Sequence, residues 1–168
     1  MQTEEKEYTF KDELMHWLPS AIMFPIMVYW VMNRGEYGII DNADLVIHEG
    51  GHLIFFIFGS FIYTLGGTLI QMLLPMLIAF YFFRNQYKTG LQCALLWLGQ
   101  NLINISVYAS DARAHKLHLL GGNKVYHDWT YILGHLGILE FDHEVGYLFF
   151  GTAILIFIVA LIIPKFMR

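Results

Sequence analysis

The feature that most constrains this chain is a series of apolar runs, each close to the length of a bilayer crossing, joined by short polar segments. A crossing helix needs about 20 mostly apolar residues. Runs of that kind fall at 14–32, 44–64, 68–83, 91–110 and 147–163. In hydrocarbon the backbone has no water to bond, so such runs satisfy their own amides only as helices. The expected fold is all-α: a polytopic transmembrane helix bundle of about five spans, with 1–168 as a single integral-membrane domain. Charge content agrees. Only 14% of residues are charged, against about 25% in a soluble domain. The lipid bilayer is thus the first expected partner.

The polar segments carry further expectations. Residues 1–13 form a polar tail with Glu4, Glu5, Glu7, Asp12 and Glu13. This is unlike a positively charged leader, so no cleavable signal peptide is expected. Trp17 and Trp30 suit interfacial positions near the ends of the first run. Asp41-Asn42 offers a helix N-cap ahead of the second run. Gly66-Gly67 reads as a tight turn after it. Residues 111–146 read as a loop plus a short helix opened by His127-Asp128-Trp129, with Asp128 as its N-cap. That helix is too short to span and reads as interfacial or re-entrant. With five spans, Lys and Arg divide equally between the two sides, so the positive-inside count is a tie. A net charge of −4 without a basic patch argues against a nucleic-acid partner. The single cysteine, Cys93, excludes an internal disulfide and a cysteine-based zinc site.

Inside the second run stands His48-Glu49-Gly50-Gly51-His52, an H-E-x-x-H. Residues i and i+4 share a helix face, so both imidazoles can bind one metal ion. Glu49 can then serve as general base toward a metal-activated water. Ionisable groups in hydrocarbon cost about 2–3 kcal/mol each, so three in one turn call for a bound partner. Zinc is the expected cofactor, one ion. Gly50-Gly51 serves either close helix packing or the approach of substrate to the metal.

Two histidines leave zinc short of a third protein ligand. The candidates are Asp111, His115, His118, His127, Asp128 and His143. Asn101, Asn104, Tyr108, Asp111, His115 and His118 recur at three- and four-residue steps along one stripe of the fourth run. If that helix is centred near Ile103, Asn104 lies at metal depth and Asp111 about 12 Å higher. Asp111 then reaches the metal only through a shift or tilt, and His127 or Asp128 only if the loop before them folds back. Tyr108 reads either as a packed aromatic or as a donor toward a developing oxyanion.

An H-E-x-x-H in a membrane helix, followed two spans later by an Asn and then an Asp on one face, resembles the site-2-protease class of intramembrane zinc metallopeptidases. That resemblance implies His48, His52 and Asp111 as zinc ligands, Glu49 as base and Asn104 as substrate contact. The class carries Asn-x-x-Pro and Leu-Asp-Gly, whereas this chain reads Asn104-Ile-Ser-Val107 and Ser110-Asp111-Ala112, one residue short between Asn and Asp. Asp111-Ala-Arg113, Leu119-Leu-Gly-Gly122 and His127-Asp-Trp129 are also similar to a family of small bacterial membrane proteins carrying H-E-x-x-H. This second resemblance implies a bacterial inner membrane and adds His127 and Asp128 to the site.

The sequence thus points to an intramembrane zinc metallopeptidase acting on a membrane-embedded peptide. Two other classes stand beside it. One is a His-box di-iron oxygenase, for which His48-x-x-x-His52 and His115-x-x-His118 have the spacing. The other is a membrane metal- or haem-binding protein without catalysis.

Overall fold

The computed structural model describes residues 9–117 and 127–167. Among these, every regular element is helical. The α-helices are α1 (Phe10–Met32), α2 (Ile39–Phe55), α3 (Ser60–Arg84), α4 (Lys88–Ser110), α5 (Asp128–His135) and α6 (Asp142–Ile162), with short 3₁₀ turns at Phe56–Phe58, Leu139–Phe141 and Ile163–Lys165. The first eight residues, His118 and the Gly121-Gly122-Asn123 segment lie outside the described residues.

Helix α4 forms the axis. It runs parallel to α1, since Gln92 bonds Ser20 near one end while Arg34, just past α1, bonds Ser106 and Ser110 near the other. It is antiparallel to α6, with Gln92 bonded to Ala160 O and Gly146 packed against Ser110. Close approach is built in. A Cβ at Gly99 would stand 2.1 Å from the Phe157 ring, so glycine is what lets α6 lie against α4. Met23, Met27, Leu98, Leu102, Ala153 and Phe157 fill this core. Trp30 stacks on Phe157, ring centroids 6.4 Å apart.

Among the described residues, three stretches are long and apolar enough to cross a membrane: Phe10–Met32, Ser60–Arg84 and Leu139–Lys165. Their outer faces expose large apolar side chains such as Phe80, Leu148 and Leu155. The other two expected spans do not meet that measure. Helix α2 has 17 residues. Helix α4 has the length, but its buried side includes Gln92, Gln100, Asn101 and Ser106.

Helix α2 is short for a visible reason. The chain leaves α1 level with Ser106 and steps back, so α2 starts beside the middle of α4. There Asp41 in its first turn accepts hydrogen bonds from Gln100 (2.8 Å) and Asn104 (3.3 Å). Asp41 also accepts the Gly38 N–H at 2.6 Å, capping the helix from its third position.

The expected Gly66-Gly67 turn is not a turn. Both residues lie inside α3. The break comes earlier, at the Phe56–Phe58 turn and Gly59, whose φ of +86° suits glycine. Gly66 and Gly67 instead let α2 and α3 touch. A Cβ on Gly66 would lie 2.8 Å from Gly51 O, and one on Gly51 would lie 2.3 Å from Gly66 O. Gly51 is therefore a packing residue, while Gly50 has nothing within 4 Å of its missing Cβ.

Candidate metal centre

His48 and His52 sit one turn apart on the buried face of α2, toward α3 and α4. The glycines just described create the room. A Cβ on Gly67 would fall 2.4 Å from His48 Nε2, so the imidazole lies directly on the backbone of α3. The His52 ring is held from its other side, with Nδ1 2.8 Å from the Tyr63 carbonyl oxygen. A carbonyl only accepts, so Nδ1 carries the hydrogen and the Nε2 of a neutral ring has a free lone pair. His48 is held alike, by Gln71 Oε1 at 2.7 Å from Nδ1. Metal-binding imidazoles are commonly fixed in this way through the second nitrogen.

Both Nε2 atoms face Asp128. Its Oδ2 lies 2.9 Å from His48 Nε2 and 3.3 Å from His52 Nε2. Ligand atoms of these three residues lie within 4.8 Å of one another, the one such group among the described residues. Two atoms on one tetrahedral zinc stand about 3.3 Å apart, so the spacing is close to that of a shared ion. Protons on the two Nε2 atoms can donate to Asp128 Oδ2, and a metal ion between the three atoms would take their place. Two imidazole nitrogens and one carboxylate oxygen are a donor set that zinc accepts, so the residues present fit it.

The third residue arrives on α5. His127 is the N-cap of that helix, its ring Nδ1 accepting the Thr130 N–H at 3.4 Å. The expected N-cap, Asp128, is thereby displaced into the first turn, and its carboxylate is free to face the two imidazoles. Burial pushes the Asp128 carboxyl up, but the hydrogen bonds and charges of His48 and His52 together outweigh it and hold it below the ordinary carboxylate range. Tyr108 fixes the segment from α4, its hydroxyl accepting the Asp128 N–H at 3.1 Å.

Asp111, the ligand implied by the site-2-protease resemblance, is not brought to this group. It ends α4, and its two oxygens accept the N–H groups of Lys116 (2.9 Å) and Leu117 (3.0 Å). His127 Nε2 lies 3.6 Å from Asp111 Oδ2, beside the group but not in it. Burial, the main influence, pushes this imidazole down and keeps it neutral. His115 stacks on His127 at 5.2 Å and bonds Ala112 O and Thr130 Oγ1. His16 lies at the opposite end of the bundle, bonded to Pro164 O and Lys88. His135 packs between Phe61 and Tyr131, and His143 is exposed in the first turn of α6.

The three residues form the wall of a cavity of about 950 Å³, lined also by Glu49, Asn104, Tyr63, Tyr131 and Lys116. Glu49 is exposed toward this space and has no hydrogen-bond or ionic partner among the described residues. Asn104 lines it while donating to Asp41. Sequence reasoning missed Gln71, Tyr63 and Gly67. Only Gln71 left a mark, as a lone amide in an otherwise apolar run.

No family model matches this chain, and neither a curated protein nor a solved structure is similar to it.

Proposed function

We propose that this chain is a membrane-embedded zinc hydrolase that cleaves a peptide bond in a membrane-embedded or juxtamembrane substrate. The observation that carries the reading is the convergence of His48 Nε2, His52 Nε2 and Asp128 Oδ2 on the wall of a cavity that Glu49 also lines. In this reading α1, α3 and α6 cross a bilayer, that of a bacterial inner membrane, and α4 crosses enclosed among them. The substrate reaches the cavity beside α2.

Zinc, when bound, supplies a Lewis acid and an acidified water. The residues of the chain do the rest. His48, His52 and Asp128 would hold the ion. The Glu49 carboxylate, unengaged elsewhere, takes the proton from the attacking water and returns it to the leaving amine. The Tyr108 hydroxyl already accepts a hydrogen bond from Asp128 N–H, so its own proton remains to donate toward an oxyanion. Asn104 reaches a substrate backbone group in exchange for its bond to Asp41.

The test uses purified full-length chain reconstituted with membrane-inserted peptides. One zinc per chain is expected, with cleavage in the wild type. Glu49→Gln should retain zinc and lose turnover, whereas His48→Ala loses both. Full turnover in Glu49→Gln defeats the mechanism. Two irons per chain would give the site to the di-iron class, and zinc without any cleavage would give it to the metal-binding class.

A further inference from the structure

Behind His48 a line of buried polar side chains runs across three helices to a carboxylate that the proposed reaction does not use. Asp44 lies one turn before His48 on α2 and is fully buried, at 0% exposure. No cationic side chain pairs with it among the described residues. Its Oδ1 accepts the Trp97 indole N–H at 2.8 Å and the Asn101 Nδ2–H at 3.3 Å. Asn101 Oδ1 accepts Gln71 Nε2–H at 3.3 Å, and Gln71 Oε1 lies 2.7 Å from His48 Nδ1.

The direction of every bond in this line is set by its ends. An indole N–H only donates and a carboxylate oxygen only accepts. Asn101 must therefore turn its NH₂ toward Asp44, which leaves its carbonyl facing Gln71. Gln71 must answer with its own NH₂, which leaves its carbonyl facing His48. His48 can then only donate from Nδ1, and its Nε2 lone pair points at Asp128 and the metal. Reversing any link would put a hydrogen on Nε2, where an ion must bind.

We infer that Asp44 is a positioning residue for the metal centre, fixing the ligating tautomer of His48 through Asn101 and Gln71. This rests on the zinc reading above. Asp44 ends that line as an acceptor, the part a carboxyl group behind a metal-bound histidine plays directly.

The experiment is a zinc titration of detergent-solubilised full-length chain against a competing chelator, with helicity checked by circular dichroism. Asp44→Leu and Gln71→Leu should each weaken zinc binding about tenfold to a hundredfold, the usual cost of losing an outer-shell partner. Asp44→Asn, which keeps an acceptor oxygen for Trp97 and Asn101, should stay closer to wild type than Asp44→Leu. Gln92→Leu removes a buried amide elsewhere on α4 and should leave zinc affinity unchanged. The decisive variant is Gln71→Glu, which places a carboxylate directly on His48 Nδ1. It should restore wild-type affinity and make binding insensitive to Asp44→Leu, a non-additivity that general destabilisation does not produce. Asp44→Leu that is folded and binds zinc within twofold of wild type overturns the assignment, as does additivity of the two changes. Wild type that binds no zinc defeats the metal reading itself, and the first arm of the titration shows this separately.

Discussion

Gly67→Ala tests the geometry of the centre without touching a ligand. The new methyl carbon would lie 2.4 Å from His48 Nε2 and 2.5 Å from its Cδ2 and Cε1, where ordinary contact begins at 3.4 Å. Ring or helix must therefore yield by 3.4 − 2.4 = 1.0 Å. The ring has little freedom, because Nδ1 is tied to Gln71 at 2.7 Å and Nε2 faces Asp128 at 2.9 Å. A zinc–nitrogen bond tolerates only a few tenths of an ångström around its length of about 2.0–2.1 Å. Zinc affinity should drop about tenfold to a hundredfold, at least the cost of a lost outer partner. The fold should survive. Overpacking costs about 1–3 kcal/mol, and alanine returns about 1 kcal/mol of helix propensity over glycine. Gly50→Ala is the matched control, since its methyl meets nothing within 4 Å. That variant should keep wild-type zinc affinity and unfold at a slightly higher temperature. The assay is chelator competition, with melting followed by circular dichroism. Gly67→Ala at native helicity with zinc affinity within twofold of wild type would refute the placement of His48 against α3.

Two further outcomes follow from the same site. Asp128→Asn should lose zinc by more than a hundredfold while Asp111→Asn keeps it within twofold, because the Asp111 oxygens serve the backbone of residues 116 and 117; equilibrium dialysis of the two variants decides, and the reverse pattern returns the third ligand to Asp111. Zinc affinity should fall as pH drops, because the Asp128 carboxylate raises the His52 imidazole above its ordinary value and a proton there competes with zinc for Nε2. Asp128 itself contributes nothing there, being held below the ordinary carboxylate range. Calorimetric titration in buffers of different ionisation enthalpy counts the protons released.

The helical character of the chain was legible because apolar runs of bilayer length have one way to satisfy their amides. His48, Glu49 and His52 were legible because i and i+4 share a helix face whatever surrounds them. The boundaries failed where one residue type has two uses. Gly66-Gly67 in an apolar run can turn the chain or admit a neighbour, and only the partners, Gly51 and His48, distinguish the two. Asp41 can cap as first residue or from the third position, and that choice decides where α2 begins.

That starting point also governs the third ligand. A depth scale that begins α2 at the membrane face puts His52 and the metal level with Asn104 and leaves Asp111 about 12 Å away. Helix α2 begins instead beside the middle of α4, so the His48 ring comes within 5.9 Å of the Tyr108 ring. Asp111 is less than one turn beyond Tyr108, yet it stays outside the group of three. It is excluded by demand, because the chain leaving α4 must satisfy the amides of Lys116 and Leu117, and Asp111 does so with both oxygens. At α5 the same competition runs the other way. His127 takes the N-cap bond that Asp128 would otherwise make, and the carboxylate left without a backbone to serve is the one that meets the two imidazoles. The acid that meets the two imidazoles in this fold is the one whose local backbone needs are already met, a property no spacing rule along the sequence can express.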